Sequence, residues 1–203
     1  MKFPKGVRVP KAETIHECFE VVDQKKYWSF AINVDETNIM PLVRRFCESL
    51  PGTGYFILET PLCHEEEKKL RKTERDPCHR HVYFLPYLDR DGMLGILDRF
   101  GGLLVQDGMS TFGFASHDNK DEIFVGKYKL TNIFAFSRDL EKYRQMLSDM
   151  GIPEEKEIRT AWSTFTKRSP GELERLEVDG MDMYEVAKAL EPEGLFLVKT
   201  IEG

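Results

Sequence analysis

Residues 103–136 read LLVQDGMSTFGFASHDNKDEIFVGKYKLTNIFAF, and the architecture expected of the chain follows from them. Apolar runs are separated by Asp107-Gly108, by the polar cluster His117 to Asp121, and by Gly126-Lys127. Short apolar runs broken in this way read as strands joined by tight turns, so the stretch predicts a meander of four short strands. Along the second of these, Ser110, Phe112, Phe114 and Ser116 share one face while Thr111, Gly113 and Ala115 share the other, because side chains alternate along a strand. One face is bulky and the other small. A small face lets a helix, a second chain or a ligand approach the backbone closely, which makes this sheet both core and candidate floor of a site.

On either side of the meander the chain alternates between helical and extended patterns. Thr14 and Glu17 have capping-box spacing, and Ile15, Cys18, Phe19 and Val22 follow a helical stripe, so a helix is expected there. Tyr27 to Val34 reads as a strand, and Pro41 opens a helix carrying Leu42, Phe46, Cys47 and Leu50. Gly54 to Thr60 and Val82 to Leu85 read as further strands. Asp89 or Asp91 caps a helix that Gly101-Gly102 would end. A helix from about Arg138 to Met150, a strand from Ile158 to Thr166, a second capping box at Ser169 to Glu172 with Pro170 at the first helical position, a helix from Met183 to Leu190 and a strand from Leu195 to Ile201 complete the pattern. Elements mix without a regular βαβ beat, which favours an α+β fold with a largely antiparallel sheet and flanking helices. The 203 residues, 41% hydrophobic, suit one globular domain. From 64 to 77 the chain is almost wholly charged; it can be helical but can bury little, so a projecting arm is expected.

Charge narrows the function. The net charge is -6, and residues 171–194 alone hold eight acidic side chains against two basic ones, which also nets -6. No basic stripe tracks a phosphate backbone, so nucleic acid is not an expected partner. The basic N-terminus is followed by His16, Glu17 and Glu20 rather than an apolar run, and no stretch of ~18 apolar residues occurs, so neither a secretory leader nor a membrane partner is expected and the reading is cytoplasmic. The oligomeric state is not indicated.

No cofactor is expected. The one group that could hold zinc is Cys63, Cys78, His79 and His81, at the two ends of the charged arm, although the gap between the cysteines matches no zinc-finger or zinc-ribbon spacing. His117, Asp121 and the small positions Thr111 and Gly113 form a candidate ligand pocket, weighed against ordinary hairpin chemistry for the same Asp and Asn residues. Nucleophile-elbow, P-loop, zincin and dinucleotide fingerprints are all missing, and no catalytic residue is named.

Two functions remain. The first is a non-enzymatic protein-binding module whose acidic residues Glu174, Glu177, Asp179 and Asp182 meet a basic partner, with Trp162 as anchor. In character, though in no quotable motif, such a chain is similar to the small acidic immunity proteins and antitoxins. The second is a small-molecule enzyme or ligand-binding protein with its pocket near Gly113 and His117.

Overall fold

The computed structural model describes residues 1–73 and 75–202. Its centre is an eight-stranded sheet in which every neighbouring pair is antiparallel. In chain order the elements are β1 (Val7–Arg8), β2 (Cys18–Asp23), β3 (Trp28–Asn33), α1 (Glu36–Ser49), β4 (Gly54–Pro61), α2 (His64–Leu70), β5 (His79–Leu88), α3 (Arg90–Gln106), β6 (Thr111–Ser116), β7 (Glu122–Val125), β8 (Thr131–Ala135), α4 (Leu140–Asp149), β9 (Glu172–Leu173), α5 (Met183–Leu190) and β10 (Phe196–Glu202). The sheet runs β10-β5-β4-β6-β7-β8-β3-β2, and β1 pairs with β9 in a separate ribbon. No helix among the described residues is long and apolar enough to cross a membrane.

The sheet's inner face carries the fully buried Phe30, Phe56, Leu58, Phe112 and Phe114. Helices close over it by helical spacing: Ile39, Leu42, Val43 and Phe46 on α1, Met93, Ile96, Leu97 and Leu104 on α3, and Val186 and Leu190 on α5 are all buried. Four of the helices begin at an aspartate that accepts a backbone N–H: Asp35 for α1, Asp89 for α3, Asp139 for α4 and Asp182 for α5, whereas α2 begins at Cys63.

Three strands of the expected meander are present as β6, β7 and β8; its first segment, Leu103–Val105, is the last turn of α3. Gly101 and Gly102 do not stop that helix. A Cβ at Gly101 would lie 1.9 Å from Met40 Cε, so this glycine serves close packing of α3 on α1. Residues 18–23 form strand β2, not a helix, because the short run CFEVVD fits both periods and its pairing with β3 extends the sheet. Residues 158–166 are irregular around a short 3₁₀ turn at Ala161–Thr164, and the Ser169 capping pattern leads into β9 rather than a helix.

The small face of β6 is met by the neighbouring strand itself. A Cβ at Gly113 would sit 2.5 Å from the Ile123 carbonyl oxygen and 2.7 Å from the Phe124 ring. Gly113→Val should therefore lower stability by about 1–3 kcal/mol, as overpacking against fixed backbone does. A urea titration with an unchanged midpoint would contradict this.

Candidate functional site

Three backbone segments cross where side chains would not fit. Gly6 N donates to the Gln106 carbonyl at 2.9 Å, Gly108 N to the Glu174 carbonyl at 2.9 Å, and Glu174 N to the Gly6 carbonyl at 2.8 Å. A Cβ at Gly108 would fall 1.8 Å from the Gly6 carbonyl oxygen, so glycine is required by contact rather than by φ. This crossing fixes β9 and the start of the acidic segment beside the start of β6.

The connection from β7 to β8 is the second part of the frame. Tyr128 and Lys129 both take the left-handed conformation, at φ 54° and 58°. Each such non-glycine residue costs energy that surrounding contacts must offset. The turn sends the two side chains opposite ways. The Lys129 ammonium is buried and donates to the carbonyls of Leu104 at 2.9 Å and Ser110 at 3.3 Å. Tyr128 packs edge-on against Trp162 and Phe165, with centroids 4.8 and 4.7 Å away. Gly171 lies flat on this triad: a Cβ there would be 2.4 Å from the Phe165 ring and 2.5 Å from Tyr128.

Between the triad and the end of the sheet lies a cleft of about 240 Å³, lined among others by His79, Arg80, Met109, Tyr128, Trp162 and Leu173. Trp162 stays 50% exposed although its ring is held by two aromatic neighbours. Arg80 is buried and secured: Nε donates to Glu59 Oε2 at 3.3 Å, and Nη2 donates to the carbonyls of Glu59 and Met109 at 3.1 Å each and to Thr111 Oγ1 at 3.2 Å. Thr111 in turn donates to Glu59 Oε2 at 2.9 Å. Burial lowers the Arg80 pKa and Glu59 opposes that shift. Burial also raises the Tyr128 phenol.

Of the candidate binding residues, Trp162 lines the cleft; Glu174, Glu177, Asp179 and Asp182 do not, and the acidic segment reaches it only through Leu173. Glu174 is paired with Arg8 at 3.0 Å, and Asp182 caps α5 with Arg175 3.5 Å away. Glu177 and Asp179 are exposed and have no ion pair among the described residues. The four ligand-pocket candidates are not brought together. Thr111 borders the cleft through Arg80. Gly113 is covered by Phe124. The His117 ring lies between Tyr55 and Tyr87 at 5.1 and 5.2 Å. Asp121 is fully buried and accepts from Asn119, Ser137 and Tyr143.

The zinc candidates flank α2, which returns to β5 rather than standing clear of it. His79 Nδ1 lies 3.1 Å from Glu67, and His81 contacts Glu66 at 3.3 Å and Thr200 at 3.1 Å. The Cys63 amide donates to Glu66 at 3.2 Å, and Cys78 Sγ accepts from Arg71 at 3.4 Å. Among the described residues, the group of His, Cys, Asp and Glu donors close enough to share an ion is instead His16, Cys18 and Glu155.

Arg80, Glu59, Tyr128 and Lys129 escape a reading of the sequence because nothing local marks a charge as buried. The consecutive Gly126-Lys127 turn signal locates the loop but not its left-handed residues. Comparison with known proteins adds no constraint: no family model, no curated protein and no solved structure matches the chain.

Proposed function

We propose that this chain is a protein-binding module that takes one anchor side chain of a basic partner into the cleft beside Trp162. The observation that carries the reading is an exposed tryptophan held rigid over a cleft by Tyr128 and Phe165. Interaction hot spots favour such residues, since a fixed ring gives large contact area with little entropy left to lose. The cleft's size supports the same reading. At about 240 Å³ it is below the ~300–1,000 Å³ of small-molecule pockets and suits a side chain or two. Glu177 and Asp179, which have no ion pair among the described residues, supply the negative field that speeds encounter with a positive surface.

The test is retention of a partner from source lysate by the native chain and by Trp162→Ala in parallel, followed by binding kinetics. Trp162→Ala should weaken the complex by about 2–4 kcal/mol, roughly 30- to 1,000-fold, mainly through faster dissociation. Charge reversal at Glu177 and Asp179 should slow association and reduce its salt dependence. Equal retention of the same protein by native and Trp162→Ala chains would overturn the reading.

A further inference from the structure

The chain entering β2 and the segment after α4 are held against each other by backbone bonds. Phe19 N donates to the Pro153 carbonyl at 2.9 Å, and Glu155 N donates to the Phe19 carbonyl at 2.8 Å. Ile158 N donates to Glu20 Oε2 at 3.0 Å, and Asn33 Nδ2 donates to the Arg159 carbonyl at 3.0 Å. These contacts bring three donors of different kinds together from positions 139 residues apart in the chain. His16 Nε2 lies 2.7 Å from Glu155 Oε1, and with Cys18 Sγ the three ligand atoms fall within 4.8 Å of one another.

We propose that His16, Cys18 and Glu155 form a binding site for a zinc-type divalent cation. One imidazole, one thiolate and one carboxylate are the donor types zinc accepts, and three protein ligands leave a fourth position for water or an added ligand. The thiolate selects against magnesium and calcium, which take oxygen donors. Two further features suit a metal. The sulfur is buried, and Asn33 Nδ2 lies 3.8 Å from it, where an amide donor orients and stabilises a bound thiolate. The His16 ring is exposed, so an ion has a path in from solvent. The competing state is the His16–Glu155 hydrogen bond together with the one the Cys18 thiol donates to the His16 carbonyl at 3.5 Å, which an ion would replace with three bonds to metal.

The site also has a place in the architecture. Edge strand β2 and the segment from 152 to 160 would be joined by the ion directly, and that segment leads into Ala161 and Trp162 at the cleft. The ion would thus fasten the segment that carries Trp162 into the proposed binding cleft, without itself lining the cleft.

The test is titration of the reduced full-length chain, purified without a histidine tag and cleared of metal, with Co²⁺ followed by Zn²⁺. One equivalent of Co²⁺ should produce sulfur-to-cobalt charge-transfer absorption that Zn²⁺ abolishes by displacement. Cys18→Ser should lose that absorption, while Cys63→Ser and Cys78→Ser keep it. Because Cys18 is buried, a second variant guards against misfolding. His16→Ala, at an exposed ring, should keep the native circular dichroism and bind Co²⁺ at least about tenfold more weakly. Excess Zn²⁺ should raise the melting temperature of the native chain more than that of His16→Ala. No charge-transfer band, a band that survives in Cys18→Ser, or equal affinity in native and His16→Ala chains would each overturn the assignment.

Discussion

Replacing Asp107 by asparagine is expected to destabilise the fold by about 3–5 kcal/mol near neutral pH, because hydrogen bonds to a charged group are each worth ~1.5–3 kcal/mol and a buried amide is left without its acceptor. Asp107 follows α3 and is fully buried. Its Oδ2 accepts from the amides of Met109 at 3.0 Å and Ser110 at 2.6 Å, and its Oδ1 accepts from the Leu176 amide at 2.9 Å. An asparagine can keep one oxygen on two of these donors but must turn its NH₂ toward the third. The Asp107 negative charge also acts on the buried ammonium of Lys129 and the guanidinium of Arg80. Burial depresses the Lys129 pKa to about 8, Arg80 pushes it the same way, and Asp107 resists.

The pH dependence separates the charge effect from the hydrogen bonds. A lysine whose folded pKa lies below its unfolded value costs stability while protonated, and that cost fades as pH rises through the folded pKa toward the unfolded one. Without Asp107 the folded pKa of Lys129 drops further. Below pH 8 the native chain therefore holds an ammonium that Asp107 stabilises and the variant does not. Above about 8 Lys129 is neutral in both chains and that difference disappears. Urea titrations at pH 6 and pH 9 should show the deficit of Asp107→Asn shrinking at the higher pH. A deficit that is the same at both would mean that the Lys129 charge contributes nothing, leaving the lost amide contacts and the Arg80 guanidinium, which stays charged at both pH values. Since the Leu176 amide loses its acceptor, the partner binding proposed for the neighbouring acidic segment should weaken as well.

What is legible in the sequence follows the range of the interaction that decides it. The antiparallel α+β architecture is readable from residues 103–136 because alternation and turn residues are local, and β6, β7 and β8 obey them. The helix expected over Ile15 to Val22 fails for the converse reason: six residues with two adjacent apolar pairs satisfy either period, and pairing with β3 decides between them. Lys25 at φ 66° makes that hairpin without the glycine that would have announced it. Trp162 is readable as a candidate anchor from its Thr- and Ser-rich neighbours. The cleft it overlooks is not, since Arg80, Tyr128 and Leu173 come from three distant segments. Gly113 shows the limit of a correct local inference. The small face does admit a close approach, but what approaches is the adjacent strand.

The loop from His117 to Asp121 offers the second large effect, and it separates a structural carboxylate from a ligand-binding one. Asp121 Oδ2 accepts from Asn119 Nδ2 at 2.8 Å, Ser137 Oγ at 2.7 Å and the Tyr143 hydroxyl at 2.7 Å, while Oδ1 accepts from the Ser137 amide at 2.7 Å. These bonds tie the β6–β7 loop to the entry of α4 and to the buried ring of Tyr143, which stacks on Phe46 of α1 at 5.6 Å. Burial, and then the hydrogen bond to Asp121, push the Tyr143 phenol above its usual range, so it stays a donor at any physiological pH. Asp121→Ala should cost about 3–5 kcal/mol, because hydrogen bonds to a charged group are each worth ~1.5–3 kcal/mol and several buried donors lose their acceptor together. Tyr143→Phe removes one donor and leaves the carboxylate with three, so it should cost clearly less. The double variant should fall short of the sum, since the hydroxyl that Asp121→Ala strands is the one Tyr143→Phe deletes. Chemical denaturation of the three variants measures all of this, and partner retention by correctly folded Tyr143→Phe should equal that of the native chain. If Asp121→Ala instead keeps the native midpoint, the carboxylate is not holding the fold, and its role would have to be sought in a ligand.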